Sequence, residues 1–173
     1  FTLVLIARNL EGYGNISEFI TSLRRASAKG TYELVLDQLR GADLQDCLAL
    51  VAPRRGLQPG QIAEVAEWAQ REFEDRCWML ALRERVLGDE MWLYRLREAS
   101  AETGIPLVAA GDVHMHVRSR KPLQDVLTAT RLRLPLTECG DGLQPNAERH
   151  LRTKLRLAQL YPPDLLDETL RVA

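Results

Sequence analysis

Short, nearly continuous apolar runs recur along the chain and alternate with longer segments whose apolar residues are three or four positions apart. We predict that these runs form strands at Thr2–Ala7, Cys47–Ala52, 78–82 and 106–110. Strands that are covered on both faces have such continuous apolar sequences, so the runs are typical of a parallel sheet between helices. A further short strand is predicted at 32–36.

The segments between the apolar runs have the spacing of amphipathic helices. The first helix is predicted to follow a glycine-rich turn, to be capped by Asn15 or Ser17, and to end at Lys29. Two more helices are predicted, one that follows Pro59-Gly60 and continues to about Asp75, and one at Asp89–Thr103. Strands and helices that alternate in this way indicate an α/β fold, either a barrel or an open sheet.

The pattern changes after His116. No further strand is predicted there, and apolar spacing indicates three helices, at 122–132, 146–161 and 163–172. We therefore divide the chain into an α/β portion, residues 1–116, and a helical segment, residues 117–173.

The strongest candidate for chemistry is the sequence GDVHMH at residues 111–116, directly after a predicted strand. Side chains alternate along extended backbone, so Asp112, His114 and His116 would share one face at the end of the strand. Ligands of α/β folds bind at the carboxyl ends of strands, and one carboxylate with two imidazoles suits Zn²⁺, Mn²⁺ or Fe²⁺. A purely structural hydrogen bond between aspartate and histidine is the alternative, and the sequence supports both equally.

A complete metal site would also need ligands from other strands, and the sequence offers few of them. Glu84, after the third predicted strand, is a nearby carboxylate, but its neighbours Arg83 and Arg85 favour a solvated ion pair. His150 lies among arginines in a predicted helix and is expected at the surface.

Composition restricts the classes of protein that the chain can represent. Its 173 residues are 46% hydrophobic and 27% charged, with a net charge of −1, which argues against a disordered chain and a strongly basic nucleic-acid module. Between residues 117 and 156, nine basic side chains outnumber four acidic ones. This local excess either faces phosphates or, as the simpler alternative, forms a solvated helical surface.

The three cysteines, Cys47, Cys77 and Cys139, are widely spaced and include no CxxC pair. This argues against a disulfide framework or a zinc knuckle and favours a reducing, cytoplasmic compartment. Cys47 and Cys77 begin predicted strands, where they are expected to pack as small buried hydrophobic residues. The apolar runs are also too short for a membrane protein. None approaches the roughly 20 residues that cross a bilayer, so no membrane partner is expected.

Several segments resemble, in the same order, bacterial C-family DNA polymerases, the relatives of the replicative polymerase III alpha subunit. Residues 3–15 (LVLIARNLEGYGN) resemble an early segment of that family, and residues 106–120 (PLVAAGDVHMHVRSR) resemble the closing metal motif of its polymerase-and-histidinol-phosphatase (PHP) domain. Residues 123–131 (LQDVLTATR) resemble the error-prone branch, which acts in damage-induced mutagenesis. Residues 145–152 (PNAERHLR) and 160–170 (LYPPDLLDETL) are similar to the stretch that follows.

The resemblance implies that the chain is a fragment of an N-terminal PHP domain, a distorted (β/α)₇ barrel with metal ligands at its strand ends. Residues 1–116 would be the C-terminal portion of this barrel, and 117–173 would lead toward the polymerase core. Asp112 and His114 match the family's last Asp-x-His pair and are implied metal ligands, with His116 as an additional one. Zinc or manganese is the implied metal of this site.

The chain also departs from the family pattern. The chain lacks the opening His-x-His motif of the PHP domain, which in the family precedes the first strand seen here, and the strand at 78–82 lacks the carboxylate that replicative members often carry. The chain begins at Phe1, directly before a strand, so we expect it to be cut from a longer protein and to aggregate alone. The aspartates of the polymerase active site are expected outside it, so no residue here is assigned a catalytic role.

The first hypothesis is therefore that the parent protein is an error-prone DNA polymerase acting in translesion synthesis, by template-directed nucleotidyl transfer with magnesium. Its partners would be DNA and other mutagenesis or replication proteins in the cytoplasm. The present region would serve as a scaffold or carry a vestigial metal site. Two alternatives stay open, a stand-alone metal-dependent phosphoesterase of the PHP type and a non-enzymatic interaction domain.

Overall fold

A computed structural model describes residues 1–31 and 33–173 of the chain. The strands of this described part are β1 (Thr2–Ala7), β2 (Cys47–Ala52), β3 (Cys77–Leu82) and β4 (Leu107–Ala110). Its helices are α1 (Leu10–Ala26), α2 (Pro59–Phe73), α3 (Asp89–Thr103), α4 (Lys121–Leu132), α5 (Lys154–Leu160), α6 (Pro163–Asp167) and α7 (Thr169–Val172). None of the described helices is long and apolar enough to cross a membrane.

The four strands form one sheet in the order β1-β2-β3-β4. Strands β2, β3 and β4 are parallel, with Leu50 opposite Trp78 and Leu80 opposite Val108, and α2 and α3 connect them. This arrangement confirms the predicted α/β class, while closure into a barrel stays a prediction.

The prediction of a buried, parallel first strand is wrong. Strand β1 runs antiparallel to β2, with Val4 opposite Leu50. Val4 is 41% exposed and Ile6 is 39% exposed, so this apolar run is covered mainly on one side. A continuous apolar sequence of six residues resembles a doubly covered strand but does not encode strand direction.

The first helix begins earlier than predicted, at Leu10, because Asn9 caps it. The Asn9 side chain accepts a hydrogen bond from the Gly12 N–H at 2.9 Å and donates one to Asp46 Oδ1 at 3.0 Å. The glycine-rich segment is therefore the first turn of α1, and neither Asn15 nor Ser17 is the cap. The helix ends at Ala26.

A strand is predicted at 32–36, but the structure has no strand in residues 33–36, the part of this range that it describes. Tyr32 lies outside the described residues, residues 33–35 have no regular structure, and Leu36–Gln38 forms a short 3₁₀ turn. A 3₁₀ turn also precedes β2 at Gly41–Leu44.

Each face of the sheet is covered by a different part of the chain. Ala49, Val51 and Met79 point toward α2 and α3 and belong to the larger apolar core. Leu50 and Trp78, on the opposite face, belong to a second cluster, against which Val172 of α7 packs. The C-terminal segment therefore returns to the sheet.

The helix predicted at 146–161 is confined to α5. Residues 145–153, before α5, have no helical structure, and within them the Asn146 side chain accepts a hydrogen bond from Glu148 N at 2.9 Å. Thr153 then caps α5. His150 pairs in a parallel bridge with Met115, which brings this segment to the loop after β4. A helical period in the sequence could not reveal these local polar contacts.

Candidate functional site at the strand ends

The loops that follow the three parallel strands meet at one end of the sheet. Arg55 follows β2, Glu84 follows β3 and Asp112 follows β4. Arg149, from the turn segment before α5, joins them. The carboxyl ends of the strands thus carry charged side chains of both signs, at the edge where α/β folds bind ligands.

Asp112 and His114 lie together, as the sequence predicts. Asp112 Oδ1 is 3.2 Å from His114 Nε2, and each side chain is about two-fifths exposed, at 41% and 38%. Asp112 has a φ of +41°, so the backbone there is left-handed and the segment is not a continuous extended strand. His116 is exposed and, in the described part of the chain, makes no hydrogen bond or ion pair with Asp112 or His114.

Arg149 lies between two carboxylates. Its Nη1 donates to Asp112 Oδ2, and its Nη2 donates to Glu84 Oε1. The carbonyl oxygen of Arg149 accepts hydrogen bonds from the backbone N–H groups of His114, at 2.9 Å, and Met115, at 3.2 Å. Backbone pairing therefore places this arginine beside the aspartate, and its guanidinium connects the loops after β3 and β4.

A second arginine continues the network on the other side of Glu84. Arg55 Nε is 3.5 Å from Glu84 Oε2, and Arg55 Nη2 donates to Asp89 Oδ1. Asp89 also accepts a hydrogen bond from the backbone N–H of Arg85 at 2.7 Å. The charges thus alternate from Asp89 through Arg55, Glu84 and Arg149 to Asp112.

The expected solvated ion pair of Glu84 with adjacent arginines is wrong. The Arg83 side chain binds Glu90 instead, and the partners of Glu84 come from distant parts of the chain. The side chains of Glu84 and Arg149 are only 15% and 19% exposed. At an effective dielectric constant near 20, opposite unit charges about 4 Å apart attract by about 4 kcal/mol before desolvation is subtracted.

These residues do not fit a metal centre in the arrangement observed. The described residues contain no group of three or more His, Cys, Asp or Glu side chains that could hold a metal ion. Both oxygens of Asp112 have partners, His114 and Arg149, and both oxygens of Glu84 face arginines. The assignment of Asp112, His114 and His116 as metal ligands stays a prediction, and we derive no chemical step through a metal there.

Several other predicted surface features are partly buried or paired. His150 is half-buried, and its Nδ1 lies 2.8 Å from the Ala147 carbonyl oxygen. In the basic segment, Arg118 and Arg152 both pair with Glu148, at 3.1 and 3.2 Å. Lys121 pairs with Asp125 at 2.5 Å. Part of the local positive charge is therefore neutralised within the chain, and its attraction to phosphates stays a prediction.

The buried cysteines have the predicted structural character. Cys47 is fully buried and Cys77 is 1% exposed at the starts of β2 and β3. Burial raises the pKa of the Cys77 thiol to about 11, and Asp75 adds to the rise. Burial also raises the pKa of Cys47, although Arg76 opposes it. Both thiols stay protonated at neutral pH, so neither is prepared as a nucleophile or a metal ligand.

Comparison with known proteins identifies the relatives of the chain. An error-prone DNA polymerase of Azoarcus sp. (strain BH72) is 47% identical over 175 aligned residues, which cover 99% of this chain. Those of Dechloromonas aromatica (strain RCB) and Methylococcus capsulatus are each 45% identical over 99% of the chain. The chain corresponds to one segment of the error-prone DNA polymerases. The predicted resemblance to this group is thereby confirmed.

The match covers a small part of each error-prone DNA polymerase. The chain spans 16% of the length of the Azoarcus and Methylococcus relatives and 17% of the Dechloromonas relative. No protein-family model matches the chain.

Proposed function

We propose that this chain is a scaffold region of an error-prone DNA polymerase of the bacterial C family, forming part of a PHP-type barrel. In this proposal the intact protein transfers nucleotides to a primer on damaged templates, in translesion synthesis during damage-induced mutagenesis. It binds DNA in the cytoplasm, together with other replication or mutagenesis proteins. Divalent magnesium serves the polymerase site, whose carboxylates lie outside this chain.

The observation that carries the proposal is the identity of 47% with an error-prone DNA polymerase along 99% of the chain. Because the sequence similarity extends over nearly the whole chain rather than over one motif, it supports a common architecture for this segment in the two proteins. It also supports a role in the same kind of protein.

The network at the strand ends supports the scaffold role. Its carboxylates are bound to arginines from distant segments, Arg55 and Arg149, and Glu84 is largely withdrawn from solvent. Such ion pairs connect loops, and their carboxylate oxygens are occupied by arginines and so are not available to activate water. The side chains at the strand ends therefore suit the connection of loops better than hydrolysis.

Primer extension by the intact protein tests the proposal. We expect extension of a primed template across an abasic site in the presence of deoxynucleotides and Mg²⁺, and no hydrolysis of p-nitrophenyl phosphate with Mn²⁺. Failure to extend any primer would contradict the polymerase assignment. Hydrolysis of the phosphate ester that is lost in Asp112→Asn would instead favour the stand-alone phosphoesterase, for which the Asp112–His114 pair is the supporting observation.

A further inference from the structure

We propose that the guanidinium of Arg149 serves as a resident cation between Glu84 and Asp112, closing the strand ends without a metal ion. The inference deepens the proposed scaffold function and rests on it. It assigns a specific residue to the joining role and states how the segment before α5 is held at the strand ends.

The geometry of the side chain carries the proposal. The two terminal nitrogens of Arg149 donate separately, Nη1 to Asp112 and Nη2 to Glu84, so a single planar fork bridges two carboxylates from two loops. A divalent ion at the ends of strands performs the same task, because it attracts carboxylates from neighbouring loops to one point. Arginine is suited to this exchange, since its charge is permanent and its donors have fixed directions.

The backbone independently holds Arg149 in place. Its carbonyl oxygen accepts from both His114 and Met115, and Leu151 N donates to Met115 O at 3.1 Å. These contacts form the parallel bridge between Met115 and His150. These backbone contacts hold the main chain of Arg149 beside the loop after β4, within reach of Asp112, and the hydrogen bonds to Asp112 and Glu84 then order its side chain.

The surrounding charges make a second cation unfavourable. Arg55 faces Glu84 from the side opposite Arg149, and His114 faces the remaining oxygen of Asp112. Asp89 binds Arg55 and does not face the bridge. A divalent ion entering between Glu84 and Asp112 would meet two guanidinium groups, so it would have to displace Arg149.

The test compares Arg149→Met with Arg131→Met in the intact protein. Arg131 is exposed and has no ion pair in the described part of the chain, so it controls for loss of one positive charge. Hydrogen exchange followed by mass spectrometry reports on peptides that contain the amides of His114, Met115 and Leu151. We expect exchange ~10-fold faster in Arg149→Met and unchanged in Arg131→Met.

Metal dependence provides the second measurement. In the unsubstituted protein, EDTA or Mn²⁺ is expected to leave these exchange rates unchanged. After loading with Zn²⁺ and gel filtration, the unsubstituted protein and Asp112→Asn are expected to have the same metal content. In Arg149→Met, Mn²⁺ is expected to slow the exchange, and the added substitution Asp112→Asn to remove that response. If Arg149→Met does not fold, Arg149→Lys, which keeps the charge but loses the fork, is expected to show a smaller acceleration.

Two results would overturn the inference. One is stoichiometric Zn²⁺ or Mn²⁺ in the unsubstituted protein that is lost in Asp112→Asn. The other is exchange in Arg149→Met that is no faster than in Arg131→Met. Primer extension by the same preparations separates this inference from the proposed function, because an active polymerase with either result contradicts only the role of Arg149.

Discussion

The carbonyl oxygen of Asp46 lies so close to Gly12 that a Cβ atom added at position 12 would be 2.2 Å from it. The same carbonyl accepts a hydrogen bond from the backbone N–H of Arg8 at 2.9 Å. The turn before β2 is thereby joined both to the end of β1 and to the first turn of α1. Glycine at position 12 permits this contact between two backbones.

We therefore expect Gly12→Ala to destabilise the fold, and Gly14→Ala to serve as its matched control. Gly14 lies in the same helix with nothing within 4 Å of its added Cβ. The clash at Gly12 should cost about 1–3 kcal/mol, whereas Gly14→Ala should stabilise the helix by up to about 1 kcal/mol. Thermal unfolding of the intact protein measures both effects, and equal melting temperatures for the two variants would contradict the argument.

Much of the secondary structure follows from the sequence alone, but its contacts do not. The bounds of β1, β2 and α3 agree with prediction, because continuous apolar runs and helical spacing are local signals. The start of α1 differs from prediction because three residues near it, Asn9, Asn15 and Ser17, can each cap a helix, and the structure uses Asn9, whose side chain accepts from Gly12 N and also binds Asp46. Likewise, the excess of basic residues around Arg149 is visible in the sequence, but only the folded chain brings Arg149 to Glu84 and Asp112.

Tyr161 connects the C-terminal segment to two strand ends through one hydroxyl group. This side chain is 3% exposed, donates to the Ala110 carbonyl oxygen at 2.6 Å and accepts from Arg83 N at 3.3 Å. Tyr161→Phe leaves two partly buried backbone groups without that partner, so we expect a loss of about 1–3 kcal/mol in stability. Tyr13→Phe is the control, because Tyr13 is 66% exposed. Thermal unfolding measures both effects, and equal decreases in melting temperature for the two variants would refute the role of Tyr161.

Glu168 anchors the last helices to the sheet through Trp78. The indole Nε1 of Trp78, which is 8% exposed, donates to Glu168 Oε1 at 2.7 Å. Glu168→Ala removes a charged acceptor from a mostly buried donor, so local opening of residues 163–172 should become ~10- to 100-fold more frequent. Hydrogen exchange of these residues measures the change. Glu168→Gln retains an acceptor and should have a smaller effect, and the exposed Glu102→Ala should have none.

Cys77 provides a prediction about pH. Its pKa of about 11, against an ordinary value of 9.0, means that the folded chain retains the thiol proton while an unfolded chain loses it. Between pH 9 and 11 the unfolded chain therefore binds fewer protons, and the contribution of Cys77 makes folding less favourable as pH rises. At pH 8 the native thiolate fraction should be ~100-fold below that of an ordinary cysteine. The rate of alkylation of Cys77 by iodoacetamide, followed by peptide mapping of the intact protein, measures this difference. The rate in urea-unfolded protein should exceed the rate in native protein by at least that ratio. Equal rates would contradict the burial of this thiol.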